Sequence, residues 1–237
     1  PFALHPVLKK AMVALGFNTP TDVQAATLPP SLGTDAMQPR DVVGVAQTGS
    51  GKTLAYALPI LQYILENTAH SQDPARSLEA LVLTPTRELA LQVCSHIRAV
   101  VEAGGCFANV AAICGGMSVQ KQERVLLQHG GAHIVVATPG RLWDMIKHDD
   151  ALALRVRRTR FLVIDEADRM IEAGHFAEMD LLLQMVRRTK GAAADANPDM
   201  QTFVYSATMS KALQTNLKRA LWRKKQRREA EPSNTLD

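Results

Sequence analysis

Six short apolar runs punctuate the chain: Asp41-Val42-Val43-Gly44-Val45, Leu81-Val82-Leu83, Val110-Ala111-Ala112-Ile113, Ile134-Val135-Val136-Ala137, Phe161-Leu162-Val163-Ile164 and Phe203-Val204-Tyr205. Each is bounded by turn or polar residues, and none alternates with polar positions, so each reads as a buried strand. Between them, apolar residues recur at helical spacing. Val7, Leu8, Ala11, Met12 and Leu15 predict a helix over 6–15, stopped by Gly16. Thr21 caps a second over 22–28, which Pro29-Pro30 ends. Further helices are predicted from the loop at 46–53 to about 66, from Thr86 to about 103, and over 119–127, 142–147, 176–188 and 211–228. Segments 31–40, 67–77 and 191–199 carry Pro, Gly and polar residues without apolar rhythm and read as loops. Continuously apolar strands alternating with helices predict an α/β fold, a mostly parallel sheet with helices on both faces. Ligands bind such sheets at the C-terminal strand ends, where most of the polar motifs fall.

Composition narrows the class only slightly. A chain of 237 residues with 46% hydrophobic and 21% charged residues can bury a sizeable core and is not a disordered segment. A net charge of +4 is a mild lean toward nucleic acid, and on charge alone a soluble protein with a few spare lysines is the better reading. Cys94, Cys106 and Cys114 form no C-x-x-C pair and read as reduced thiols of an intracellular protein. No apolar run reaches the roughly 18 residues of a membrane span, so no membrane partner is expected. The first residues lack the form of a signal peptide, and the absence of an initial Met suggests a piece of something longer.

The first chemistry lies at Ala46-Gln47-Thr48-Gly49-Ser50-Gly51-Lys52-Thr53, between a predicted strand and a predicted helix. This is the context of a phosphate-binding loop: glycines let backbone N–H groups turn inward, and the helix N-terminus adds partial positive charge. Lys52 is placed to reach the β- and γ-phosphates, and the Thr53 hydroxyl to hold Mg²⁺. Ala46 stands where the general pattern has its first glycine. The second half follows the fifth apolar run, as Asp165-Glu166. Carboxylates at the end of a buried strand suit a hydrated metal (Asp165) and an attacking water (Glu166).

Asp165-Glu166-Ala167-Asp168 spells the signature of the DEAD-box ATP-dependent RNA helicases, and the chain resembles their first RecA-like P-loop NTPase domain over nearly its full length. Phe17, Pro20-Thr21 and Gln24 resemble the Q motif, and 46–53 motif I, where Ala is usual at the first position. Pro85-Thr86-Arg87-Glu88-Leu89-Ala90 resembles motif Ia, Gly115-Gly116 the GG motif, Thr138-Pro139-Gly140-Arg141 motif Ib, and Ser206-Ala207-Thr208 motif III. Each is weak alone; their order along the chain makes them specific.

The resemblance implies ATP and Mg²⁺ as ligands, with Lys52, Asp165 and Glu166 catalytic and Thr53 and Asp165 on the metal. It implies that Gln24 reads adenine, that Phe17 (otherwise a core residue) packs on the base, and that Thr21 supports the phosphate loop. It makes Asp168, Ser206 and Thr208 the coupling between nucleotide state and domain closure. Pro85, Thr86, Arg87, Gly116, Thr138, Pro139, Gly140 and Arg141 are implied to hold an RNA backbone, which carries no base information. It divides the chain into a Q-motif region (1–30), a RecA-like domain (31–228) and a tail (229–237), and makes a second RecA-like domain, absent here, the partner that completes both sites. Phe2 poorly matches the aromatic residue that the family carries before the first helix, which leaves part of the adenine pocket unassigned. ATP binding is expected of this chain; efficient hydrolysis and duplex separation by it alone are not.

The segments 169–178 and 116–122 are further similar to a nucleolar subfamily acting in assembly of the large ribosomal subunit, implying pre-ribosomal partners and a nucleolar or nuclear location. Arg155, Arg157, Arg158 and Arg160 read as a solvated face. The basic stretch at 218–228 fits a solvated face and an RNA or acidic partner equally. Two functions stay open: an RNA-dependent ATPase, and a nucleotide-gated RNA-binding scaffold without turnover, with a DNA-translocating motor a weaker third. Lys52, Thr53, Asp165 and Glu166 together favour the first, since a scaffold need not keep a hydrolytic set.

Overall fold

The computed structural model describes residues 2–33, 37–67, 78–127, 131–172, 176–187 and 200–208. The elements run α1 (Pro6–Ala14), α2 (Asp22–Leu32), β1 (Val42–Val45), α3 (Lys52–Asn67), β2 (Ala80–Leu83), α4 (Arg87–Gly104), β3 (Val110–Ile113), α5 (Val119–Leu127), β4 (Ile134–Ala137), α6 (Pro139–Ile146), α7 (Asp150–Arg157), β5 (Phe161–Ile164), α8 (Ala167–Glu172), α9 (Phe176–Arg187) and β6 (Gln201–Ser206). Among the described residues the strands form one six-stranded sheet, ordered β1-β6-β5-β2-β4-β3. Every pairing is parallel, so all six C-terminal ends lie along one edge. The expected α/β fold is thereby present.

The sheet has a core on each face, because side chains alternate across a strand. Ala80 and Val82 of β2, and Phe161 and Val163 of β5, join the core built with α1, α2, α3 and α4. Leu81, Leu83, Leu162 and Ile164 join the opposite core, with Leu142, Val156 and Leu182 from α6, α7 and α9. The six apolar runs mark the strands because five of those strands are covered on both sides. β1 is the exception. It was expected to be buried, yet Val43 and Val45 are exposed at 41% and 47% while Val42 and Gly44 are buried. It is an edge strand, and only its α1–α4 face is covered among the described residues.

Other expectations shift at their ends. α2 continues through Pro29 and Pro30 to Leu32 instead of ending at them. Proline removes only its own N–H, and φ near −65° suits a helical turn; the stop comes from Gly33, at φ 72°, whose N–H closes on the Pro29 carbonyl at 3.2 Å. α6 begins at Pro139 instead of Leu142, since Thr138 is extended and proline suits the first helical position. α7 and α8 were not expected. α7 is capped by Asp149, whose carboxylate accepts the Leu152 N–H at 2.9 Å. The arginines at 155–160 thus belong partly to a helix, and Arg155 reaches the Leu126 carbonyl at 3.3 Å. The helix and basic stretch expected over 211–228, the loop at 191–199 and nearly all of that at 67–77 lie outside the described residues.

Candidate functional site

Helix α3 begins inside the glycine loop, so the loop's geometry is set by the strand before it and the helix after it. The Ala46 N–H binds the Ser206 carbonyl of β6 at 3.0 Å, continuing the sheet one residue past β1. Gly49 and Gly51 then take φ of 82° and 92°, a region favouring glycine. Lys52, only 7% exposed, folds its Nζ back to the Ala46 carbonyl at 2.8 Å. A charged amine is thereby held over the loop by one weakly competing acceptor. The space beside Gly49 is open, and the buried Ser50 hydroxyl has no hydrogen-bond partner. A cradle with an ammonium, an orphaned hydroxyl and a helix N-terminus fits a phosphate group.

The carboxylate pair arrives from β5, one strand removed from β1. Asp165 is 3% exposed. Its Oδ1 accepts the Glu166 N–H at 3.0 Å, and its Oδ2 accepts the Tyr56 hydroxyl at 2.9 Å. Burial raises its pKa above the ordinary carboxylate value, against the pull of the Tyr56 hydroxyl and of Lys52. Tyr56 in turn is held well above its ordinary value, first by burial and then by the Asp165 charge. The loop after β1 and the end of β5 lie on either side of β6, so both candidate groups fall on one stretch of the sheet edge. No group of three or more His, Cys, Asp or Glu side chains suited to a metal occurs among the described residues. A buried carboxylate held by Tyr56, on the helix that carries Thr53, fits Mg²⁺, which keeps several waters and takes few protein ligands.

Glu166 sits at φ 51°, the one left-handed non-glycine among the described residues. Such backbone persists where the surroundings enforce it, commonly at active sites. Its side chain is 7% exposed and pairs with Arg169 Nη1 at 3.2 Å. Asp168, on α8, accepts the Thr208 N–H at 2.9 Å and the Thr208 hydroxyl at 2.8 Å. Burial alone would raise its pKa, but the hydroxyl bonds of Thr208 and Ser206 and the backbone donors outweigh this and hold it low. The three expected coupling residues therefore meet, linking the ends of β5 and β6.

The Q-motif residues reach the loop from α2. Gln24, 7% exposed, accepts the Thr21 N–H on Oε1 at 3.1 Å and donates from Nε2 to the Gly51 carbonyl at 3.1 Å. A Cβ on Gly51 would meet Gln24 Nε2 at 2.5 Å and Thr21 Oγ1 at 2.8 Å. Both residues thus pack directly on the phosphate loop, and the Gln24 amide keeps one further hydrogen and lone pair for a base edge. Phe17 is 50% exposed, so it is not the core residue that its type alone suggests.

The remaining motifs gather at the ends of β2, β3 and β4. Thr86 caps α4, its hydroxyl accepting the Leu89 N–H at 3.2 Å. Arg87 extends over Gly116, where a Cβ would lie 1.7 Å from its Nη1. Arg141 Nη2 donates to the Met117 carbonyl at 3.1 Å. Cys114 lies beneath both arginines: burial raises its thiol, and the two guanidinium charges oppose this. Two cations over a glycine turn can pair with phosphates. Pro85 and Pro139 are buried, so they shape their turns instead of presenting a surface; Thr138 and Gly140 are partly exposed. Sequence reasoning missed Tyr56, Tyr205, Arg169 and Gln122, whose amide holds the Cys114 carbonyl at 2.6 Å. Only Tyr56 left a signal, as a hydroxyl on an otherwise apolar helical face.

A family profile described as DEAD/DEAH box helicase matches residues 21–215. The rice protein "DEAD-box ATP-dependent RNA helicase 13" is 40% identical over 93% of this chain and 28% of its own length. The Aspergillus terreus protein "ATP-dependent RNA helicase mak5" is 41% identical over 90% of this chain and 29% of its own. The chain thus spans under a third of the curated relatives it matches. Among solved structures, a DEAD box protein from Methanococcus jannaschii superposes with a TM-score of 0.74 at 31% identity, over 92% of this chain and 52% of that one. Mss116p bound to ssRNA and AMP-PNP superposes with 0.77 at 26% identity, over 92% and 41%.

Proposed function

We propose, for a chain that belongs to the DEAD/DEAH box helicase family, that it is the ATP-binding and RNA-binding lobe of an ATP-dependent RNA helicase. Residues 1–30 form its Q-motif region, 31–228 its RecA-like domain and 229–237 a tail. The observation that carries this is the convergence, on either side of β6, of the Lys52 cradle and the Asp165-Glu166 pair, tied together by Tyr56 of the helix that Lys52 opens, at 2.9 Å from Asp165. Gln47, Thr48, Gly49, Ser50 and Gly51 surround the phosphates, Lys52 neutralises them, and Gln24 and Phe17 take the adenine. Thr53 and Asp165 would hold Mg²⁺, which would supply neutralisation of the phosphate charge.

Glu166 is the group that orients an attacking water and accepts its proton. Its strained backbone and its pairing with Arg169 fix where that carboxylate points. Asp168, Ser206 and Thr208 report the nucleotide's state toward a second RecA-like domain. Thr86, Arg87, Gly116, Thr138, Gly140 and Arg141 hold an RNA backbone without reading bases, on turns shaped by Pro85 and Pro139. The names of the relatives and the ssRNA in the Mss116p complex support this assignment. The subfamily resemblance at 116–122 and 169–178 supports a role in ribosome biogenesis, with pre-ribosomal partners and a nucleolar location. A scaffold without turnover is the competing function, disfavoured by the intact Lys52, Thr53, Asp165 and Glu166.

ATP hydrolysis by this chain, with and without single-stranded RNA, tests the proposal when paired with a longer polypeptide carrying the second domain. The expected result is near silence from the lobe alone and RNA-stimulated turnover from the longer form, abolished by Glu166→Gln. A longer form that binds ATP yet stays silent would establish the scaffold instead.

A further inference from the structure

Tyr56 is fully buried in the second turn of α3. Apart from Lys52, it is the polar side chain on a buried face of Ala, Leu, Ile and Pro. A phenylalanine would fill nearly the same volume, and a buried hydroxyl costs free energy unless it is bonded. What the hydroxyl adds is its bond to Asp165 Oδ2, at 2.9 Å. The other oxygen, Oδ1, is already taken by the Glu166 N–H at 3.0 Å. With a donor on each oxygen, the carboxylate has one orientation. The Tyr56 ring is itself fixed: Tyr205 lies against it, with centroids 5.7 Å apart and planes at 47°. Tyr205 spends its own hydroxyl on Thr27 Oγ1 at 3.3 Å instead of the carboxylate, and Thr27 donates to the Val23 carbonyl at 2.6 Å. Thr53, one turn earlier on α3, opposes the rise in the Tyr56 pKa. The phenol thus binds Asp165, one of the two residues assigned to the metal, from the helix that carries the other.

We infer that Tyr56 is a positioning residue for the divalent-cation site: its hydroxyl sets the orientation in which Asp165 meets a nucleotide-bound cation. This rests on the assignment of Asp165 to the metal. Groups that orient a metal ligand in this way commonly carry about 10- to 100-fold in metal affinity.

The test uses this chain, the non-hydrolysable analogue AMP-PNP, and Mn²⁺ as a paramagnetic stand-in for Mg²⁺, with Tyr56→Phe compared against wild type and Tyr205→Phe. The second variant deletes another buried hydroxyl, one whose hydrogen bond goes to Thr27 and not to Asp165. Free Mn²⁺ is read by its spin-resonance signal, AMP-PNP affinity without metal by fluorescence competition, and folding by the thermal midpoint. Expected is a fall of about tenfold or more in Mn²⁺ affinity for Tyr56→Phe, with metal-free AMP-PNP affinity unchanged within about twofold, and no such fall for Tyr205→Phe. Tyr56→Phe binding Mn²⁺ like wild type overturns the inference and leaves the ATP site standing. So does an equal loss of metal-free AMP-PNP affinity, or an equal fall in Tyr205→Phe, since either makes the contribution one of packing. If wild type shows no Mn²⁺-dependent AMP-PNP binding, the ATP-site assignment itself falls and the inference falls with it.

Discussion

At the scale of single residues, two glycines assigned to RNA separate conformation from contact. Gly116 lies at φ 77°, and a Cβ there would collide with the Arg87 guanidinium. The guanidinium is the far end of a flexible side chain and can move. Gly116→Ala is therefore expected to cost only the roughly 1–2 kcal/mol of left-handed backbone in stability, while displacing Arg87 and weakening single-stranded RNA binding. Thermal unfolding and an RNA titration on the same sample check both halves. Gly140, in the first turn of α6, has open space and no positive φ. Gly140→Ala should leave stability unchanged or slightly raised, so any loss of RNA affinity would report close approach of the RNA backbone itself. Neither contrast was legible in the chain: Gly115-Gly116 and Thr138-Pro139-Gly140-Arg141 are visible as motifs, but which glycine faces a cation depends on a residue some 30 positions away.

At the scale of elements, the two edges of the sheet behave differently. Gly44 of β1 faces the buried Tyr205 ring of β6, where a Cβ would lie 2.5 Å from the ring. Gly44→Ala is expected to cost about 1–3 kcal/mol by overpacking, seen as a lower thermal midpoint. At the other edge, the β3–β4 junction depends on a neutral imidazole. His133 Nδ1 accepts the Asn109 N–H at 3.0 Å, and burial lowers the His133 pKa from its ordinary 6.5. A histidine whose folded pKa lies below its unfolded one stabilises the fold at pH above 6.5 and loses that contribution as pH falls through the folded value. Protonation would turn the acceptor into a donor facing another donor. Amide exchange at Asn109, corrected for its intrinsic pH dependence, should lose protection as the pH falls below 6.5 and through the lowered His133 pKa; unchanged protection would show that Nδ1 is not the acceptor holding this edge. The strands were legible because five of the six are continuously apolar. α7 and α8 were not, since they are short and Asp149, the cap of α7, resembles an ordinary turn residue.

At the scale of the whole molecule, the strand order sorts the motifs. β1, β6 and β5 carry the candidate nucleotide residues, and β2, β4 and β3 carry those assigned to RNA, with the β5–β2 pairing as the boundary. A site built on backbone phosphate contacts should bind RNA with little sequence preference and weaken steeply with salt. The logarithm of affinity against the logarithm of salt concentration should be linear, and Arg87→Ala or Arg141→Ala should each reduce its slope by about one. A slope unchanged by either substitution would remove that arginine from the interface.

The sequence by itself determined the parallel α/β fold, and it marked the glycine loop at 46–53 and the Asp165-Glu166 pair as candidates, because apolar period and local motif spacing are short-range properties. It also placed the helix caps at Thr21 and Thr86, for the same reason. Tertiary structure alone decided that β1 is an edge, that Arg87 covers Gly116, and that Tyr56 holds Asp165 from 109 positions away. Those relations depend on which strands become neighbours, and strand order is fixed by how two faces of helices cover one twisted sheet, which no local pattern records.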